Sequence, residues 1–359
     1  MFNAFGNIFR ITTFGESHGE GMGVVIDGCP AGLAMDLSQI QDELNKRRPG
    51  QNRISTQRKE PDSFQLLSGH LEHVTTGSPL TFWVPNTSQR SRDYDHIKDT
   101  FRPSHADYTY TAKYGLRDYR GGGRSSARET LARVIGGSVA RQLLEQISDI
   151  KIEGWVHSIH DLSLEGWPTT ISFDSDIQQQ LRCPDPVLAQ AMYDKIDAIR
   201  KAGNSLGGTI GCRVSNMPTG LGEPIYMKLE SLLASAMLSI NATKGFEIGS
   251  GFDGTKLTGA EHNDVFYQDG DTVRTKTNHS GGVQGGISNG EDVLFKVAFK
   301  PTATIMQNQN TVDKDGNAIT LKGRGRHDPC VVPRAVPIVE AMAALVLADL
   351  VLMDRSRRV

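Results

Sequence analysis

Three glycines followed by an arginine and two serines, Gly121-Gly122-Gly123-Arg124-Ser125-Ser126, run into Ala127-Arg128-Glu129 and then an apolar stretch of helical spacing. Glycines at a helix start leave its first amide groups open at the positive end of the helix dipole, which makes a seat for phosphate. Arg120, Arg124 and Arg128 add formal charge there, and Ser125 and Ser126 add hydroxyl donors. A tight turn before a helix would use the same glycines. A second basic group, Lys46-Arg47-Arg48 with Arg53, stands at a predicted helix end. Its guanidinium forks suit carboxylates or phosphate, and they equally suit a solvated helix C-terminus.

Two segments carry titratable groups. Gly15-Glu16-Ser17-His18-Gly19 closes a predicted strand with a hydroxyl donor and an imidazole. It is not a nucleophile elbow, which needs Gly-x-Ser-x-Gly running into a helix. Arg102-Pro103-Ser104-His105-Ala106-Asp107 places an arginine, a histidine and a carboxylate in a stretch without regular pattern, where polar sites commonly form. Polar or glycine-rich junctions also occur at Ser239 to Ala242, Gly281 to Gly286, Lys300-Pro301-Thr302-Ala303-Thr304 and Gly325-Arg326-His327-Asp328-Pro329. Singly, each reads as turn chemistry. His70 with His73 and His157 with His160 have a metal-like spacing, but they lie in strand or loop context without supporting acids. They read as surface histidines, and no metal site is expected.

The elements that must position these groups follow from patterning. Residues 7–14 and 24–27 read as strands, and Ser38 with Gln41 reads as a capping box for a helix ending at Pro49-Gly50. Residues 51–61 read as a basic loop, and 74–84 as a hairpin turning at Gly77-Ser78. Residues 86–119 are aromatic, polar and aperiodic, which suits a functional surface. Ser126 and Glu129 then cap a helix with a buried stripe from Ala127 to Leu143. The second half is expected to supply strands near 150–159, 209–214 and 293–299, with helices near 187–201, 228–240 and 336–353. One echo stands out: a strand, Pro30-Ala31-Gly32-Leu33 and a helix, against a strand, Pro218-Thr219-Gly220-Leu221 and a helix. It suggests two halves related by a pseudo-two-fold within a single domain spanning residues 1–359.

Bulk numbers narrow the function class. The chain has 359 residues, 22% charged and 38% hydrophobic, in the range of ordinary globular proteins. A net charge of −2 disfavours a general nucleic-acid binder, such as an RNA- or ribosome-associated protein. Missing GxxxxGK[ST] loops disfavour a phosphosugar kinase. Basic residues crowd between Lys46 and Lys59, and again between Arg102 and Arg133, which points to local anion sites in a neutral protein. Cys29, Cys183, Cys212 and Cys330 have no metal-like spacing and read as reduced thiols of a cytoplasmic protein. No secretory or membrane-spanning segment is expected. By themselves these residues point to a soluble enzyme with an arginine-rich pocket for a phosphorylated, carboxylated small molecule.

Four motifs in order resemble those of the chorismate synthase family: Phe14 to Gly19, Arg102 to Tyr110, Tyr119 to Thr130, and Gly325 to Cys330 with Arg334-Ala335-Val336-Pro337. The resemblance covers essentially the whole chain. It implies an anti-1,4-elimination of phosphate from 5-enolpyruvylshikimate-3-phosphate to give chorismate, with reduced FMN required although no net oxidation occurs. It implies an α+β fold, a β-α-β sandwich with a helical layer between two antiparallel sheets, assembled as a homotetramer. It also implies the monofunctional type, which takes reduced FMN from an external flavin reductase.

In family terms Ser17, Arg47, Arg48 and Arg53 match substrate-contacting positions. Arg124, Ser125, Ser126, Asn241, Ala242, Gly285, Lys300, Pro301, Thr302, Ala303, Thr304 and Arg326 match the flavin site. The usual serines of the lysine segment stand here as Ala303 and Thr304, so one hydroxyl is missing and one sits on a branched side chain. The resemblance casts His18 as proton donor to the departing phosphate and His105 as partner to the reduced flavin near N1 and C2=O. Asp328 is cast as acceptor of a proton from flavin N5.

Overall fold

A computed structural model describes residues 3–56, 60–87, 98–323 and 327–357. Two five-stranded sheets dominate it. The first orders its strands Ala4–Phe5, Arg10–Gly15, Gly21–Asp27, Leu80–Pro85 and Gln65–Ser68, each antiparallel to its neighbours. The second orders Thr243–Ile248, Val293–Phe299, Gly208–Ser215, Lys151–Ile159 and Leu162–Ser163, again antiparallel throughout.

Alternation explains the first sheet. In Leu80–Pro85, Leu80, Phe82 and Val84 are buried while the residues between them are partly exposed, the period-two pattern of a strand with one face on a core. The face meets helix Thr130–Ile147, which packs on strands Arg10–Gly15 and Gly21–Asp27. The second sheet presents strands Lys151–Ile159 and Gly208–Ser215 to helix Val332–Arg355. These two helices also pack on each other. Their close approach depends on Gly137, where a Cβ would stand 2.4 Å from that of Ala341 and 2.6 Å from its carbonyl oxygen. Val332–Arg355 is long and apolar enough to cross a membrane, but most of it is buried inside the molecule.

The turns after the two central strands are built alike. The Thr75 hydroxyl donates to Pro30 O at 2.6 Å and accepts from Leu33 N at 2.9 Å. The Ser288 hydroxyl does the same for Pro218 O at 2.6 Å and Leu221 N at 2.9 Å. The backbones of Thr75 and Ser288 complete both clamps, accepting from Gly32 and Gly220 and donating to Leu33 and Leu221.

Several local expectations change. Helix Leu37–Arg47 is capped by Asp36, which accepts from Ser38 N and Gln39 N, so Ser38 and Gln41 form no capping box. Val74–Thr75 pairs with His70–Leu71 rather than with Leu80–Pro85, and the turn falls at Glu72-His73. Both turn residues have positive φ, as a two-residue hairpin turn demands. Residues 86–119 contain a helix, Asp107–Tyr114. Ser126 caps only a short 3-10 turn by accepting from Arg128 N, and Glu129 reaches forward to Arg133 instead of back to the cap. The last helix begins at Val332 because Pro333 occupies its first turn, where a missing N–H costs nothing. His157 is buried, 6% exposed, contrary to its reading as a surface residue.

Candidate active site

The N-terminal ends of helices Thr130–Ile147 and Val332–Arg355 converge on one cavity of about 390 Å³. Its walls come from the loop after strand Arg10–Gly15, the end of helix Leu37–Arg47, the segments after Leu80–Pro85 and Val293–Phe299, and the turn at Asn241-Ala242. Arg47, Arg102, Arg128, Lys300 and Arg334 line it against the carboxylates Glu60 and Asp328. Five cations facing two acids, at two helix N-termini, make an anion site.

Each arginine is anchored from behind. Asp62, its side chain fully buried, accepts from Arg47 at 3.1 Å and from Arg128 at 2.9 Å. Arg47 also points at Ala127 O, Arg128 O and Thr130 Oγ1, at 3.3–3.4 Å. Burial, with Arg334 and Arg128 close by, lowers the Arg47 pKa to about 10 against the pull of Asp62, so it stays charged at neutral pH. Arg128 Nε donates to Asn86 Oδ1, and the Asn86 amide donates in turn to Glu16 O and Gly19 O. The phosphate-seat arginine is thereby tied to the loop that carries His18. Arg334 pairs with Asp328 Oδ2 and donates to Arg47 O, while Asp328 Oδ1 accepts from Thr56 N at 2.8 Å.

Two histidines enter the cavity with defined partners. His18 Nδ1 lies 3.0 Å from Ser17 Oγ, and both residues are largely buried. The ring lies against Gly121, where a Cβ would stand 2.0 Å from Nδ1. That close approach, rather than phosphate binding, is what requires glycine at position 121. His105 Nδ1 lies 2.8 Å from Asp107 Oδ1.

Ser125 and Ser126 line the cavity beside Asn241, Ala242 and Lys300, and Thr302, Ala303 and Thr304 continue the same wall. The Asn241 amide donates to Ser125 O at 3.0 Å, while Asn241 Oδ1 and Thr302 Oγ1 are buried with no partner. Burial and the nearby Lys244 lower the Lys300 pKa. Orphaned polar atoms beside two serines and a lysine fit a ligand with ring amides, hydroxyls and a phosphate, as a flavin nucleotide has.

The cavity therefore gathers Ser17, His18, Arg47, His105, Ser125, Ser126, Asn241, Ala242, Lys300, Thr302, Ala303, Thr304 and Asp328. Other expected residues lie elsewhere. Arg124 is spent on Thr13 and on Gly15 O. Arg53 is exposed and faces Asp197 at 3.4 Å, and Arg48 lines a separate open groove with Arg141 and Arg182. Gly285 sits exposed in the hairpin that carries Ser288, and Pro301 is exposed. Arg326 lies outside the described residues. Arg102 and Arg334 fall inside the quoted motifs but had no assigned role, Arg128 was read only as charge at the phosphate seat, and Glu60 and His327 also line the wall. Nothing in the sequence marks Asp62.

Comparison with known proteins places this arrangement. The family model for chorismate synthase matches residues 9–352. The chorismate synthase of Christiangramia forsetii is 57% identical over 357 residues, covering 99% of both chains. That of Prochlorococcus marinus is 55% identical over 358 residues, with the same coverage of both. A solved crystal structure of a chorismate synthase, 31% identical, superposes with a TM-score of 0.76 over 98% of this chain and 93% of the other. The chain belongs to the chorismate synthase family.

Proposed function

We infer that the protein converts 5-enolpyruvylshikimate-3-phosphate into chorismate and phosphate by anti-1,4-elimination, with reduced FMN as cofactor. The observation that carries this reading is the acid-backed arginine cluster at the convergence of two helix N-termini, in a chain of this family. A substrate with one phosphate and two carboxylates brings several negative charges, which Arg47, Arg102, Arg128 and Arg334 suit. His18, hydrogen-bonded to Ser17, supplies the proton that neutralises the departing phosphate. Asp328 uses one lone pair on each oxygen for Thr56 and Arg334, which leaves the others for a ligand proton. Ser125, Ser126, Asn241, Ala242, Lys300, Thr302, Ala303 and Thr304 would hold the flavin, which when bound supplies electron density to the allylic system. His105 would hydrogen-bond to the flavin from the same cavity. Arg48, Arg53, Arg124, Gly285, Pro301 and Arg326 remain proposed contacts, the first five standing outside the cavity in the single chain.

Substrate recognition is tested by equilibrium binding of 5-enolpyruvylshikimate-3-phosphate and its dephosphorylated form. The reading expects at least a tenfold loss without the phosphate, since each charge-assisted contact is worth about 1.5–3 kcal/mol. Equal binding would remove the arginine cluster as a phosphate site.

Reduced FMN reaches the site from a separate flavin reductase, and the protein works in the cytoplasm, where four free cysteines fit a reducing compartment. A homotetramer is supported by exposed apolar side chains such as Tyr226, Phe252, Phe266 and Val273. We read the chain as one domain, a sandwich with helices between the sheets and a pseudo-two-fold between halves. Support comes from the matching clamps at Thr75 and Ser288 and from the single core shared by both central helices. Superposition of segments 21–47 and 208–238 that fails to align their strands and helices would overturn the two-fold.

A further inference from the structure

Asp107 is buried behind His105 and collects only donors. Oδ2 accepts from the Arg102 backbone N–H at 3.2 Å and from Arg102 Nε at 2.7 Å. Oδ1 receives Arg102 Nη2 at 2.7 Å and Arg117 Nη1 at 2.8 Å, and His105 Nδ1 stands 2.8 Å from the same oxygen. Guanidinium nitrogens cannot accept, so the carboxylate is the acceptor toward all of them. His105 Nδ1 is also 3.0 Å from Arg102 Nη2, a donor only, so Nδ1 meets one donor and, closer, one anionic acceptor at 2.8 Å. A lone pair on Nδ1 would face that anionic oxygen at hydrogen-bond distance, whereas a proton there makes a charge-assisted bond.

We propose that Asp107 is a positioning residue for the elimination: it fixes His105 as the Nδ1–H tautomer and leaves Nε2, across the ring, to exchange a proton with the cavity's occupant. Burial works against the Asp107 carboxylate, but hydrogen bonds from Arg102 and His105 overcome it and hold Asp107 well below the usual carboxylate range. It therefore stays ionised, and acceptor-only, at working pH. Charged and titratable groups on the other walls of the same cavity are His18, Arg47, Glu60, Arg128, Lys300, His327, Asp328 and Arg334. Among the described contacts, the side chains on the Asp107 oxygens are those of Arg102, His105 and Arg117. Arg117 makes the clamp continuous with Lys98, whose carbonyl it also binds. The inference rests on His105 acting as an acid–base group, and the test separates the two ideas.

Nitrogen-15 NMR of histidine-labelled protein, with the His105 resonances assigned by their loss in His105→Gln, reads the tautomer without any turnover. The native protein is expected to show Nδ1 protonated and Nε2 bare. In Asp107→Asn the carboxamide brings an N–H₂ among donors, the proton moves to Nε2, and kcat falls by about 10²–10⁴-fold with KM nearly unchanged. Arg117→Met, which keeps the carboxylate and the Arg102 fork, retains the Nδ1–H pattern. Native protein with Nε2 protonated would overturn the proposal, as would Arg117→Met altering the tautomer as Asp107→Asn does, since the loop rather than the carboxylate would then be responsible. Normal turnover in His105→Gln, with Nδ1–H in the native protein, defeats the role given to His105 and leaves the Asp107 pairing standing.

Discussion

His18 and His105 have partners of different chemistry. Ser17 offers His18 a hydroxyl that is donor or acceptor, whereas Asp107 offers His105 only an acceptor. Replacing either histidine with alanine should lower kcat by about 10²–10⁴-fold. Steady-state kinetics with reduced flavin in excess checks this, and near-normal turnover in one variant strikes that residue from the mechanism. Asp62 is a different test. Asp62→Ala leaves the buried Arg47 and its neighbour Arg128 without their shared carboxylate, which should cost about 3–5 kcal/mol in urea unfolding. A change below about 1 kcal/mol would mean the arginines hold their places without it. The residues read most easily from sequence were those inside compact motifs, where His18, His105 and Ser125 to Ser126 sit. The bonds of Arg124 were not legible because its partners, Thr13 and Gly15, lie in a strand more than a hundred residues earlier. Asp62 was silent because an acid in a loop gains meaning only when two distant arginines meet on it.

Helices and strands were legible where burial shapes the sequence, by alternation in the strand Leu80–Pro85 and by a continuous apolar run in the final helix. The hairpin misreading at 74–84 has a local cause: Glu72-His73 adopts positive φ without a glycine, so the sequence lacks the usual turn signal and Gly77-Ser78 supplies a decoy. The N-terminal segment shows a contact that no pattern predicts. Asp349, in the middle of the last helix, accepts from the backbone N–H groups of Asn7, Ile8 and Phe9 and from the Asn7 amide, at 2.7–3.0 Å. Asp349→Ala strands those donors, that of Phe9 fully buried, and should destabilise the protein by about 2–4 kcal/mol, with faster amide exchange at residues 7–9. Unchanged exchange there would show that water replaces the carboxylate at no cost.

At the scale of the molecule, a clamped turn follows a strand of each sheet, at Thr75 and at Ser288, and the cavity lies where helices Thr130–Ile147 and Val332–Arg355 begin. The same layered build buries His157 in the second sheet. Burial, with Lys296 nearby and Glu247 opposing, lowers the His157 pKa from the ordinary 6.5 to about 4. The unfolded chain therefore binds that proton first. Stability from the neutral ring is complete above about pH 6.5 and is lost as pH falls toward 4, by up to about 3 kcal/mol. Urea midpoints of His157→Gln should vary less between pH 7 and 4.5 than those of the native protein, and equal variation would assign the acid sensitivity to other groups. The pairing of strands into two sheets and the meeting of both long helices at one cavity depend on long-range contacts that a single sequence does not spell out.

The central claim is that this cavity eliminates phosphate with the help of reduced flavin. Anaerobic turnover of 5-enolpyruvylshikimate-3-phosphate, with photoreduced FMN, with oxidised FMN and without flavin, tests it most directly. The account predicts chorismate and phosphate in equal amounts with reduced FMN and neither product in the other two reactions. Folded protein that binds FMN but forms no chorismate, or that forms it equally well without reduced flavin, would contradict it.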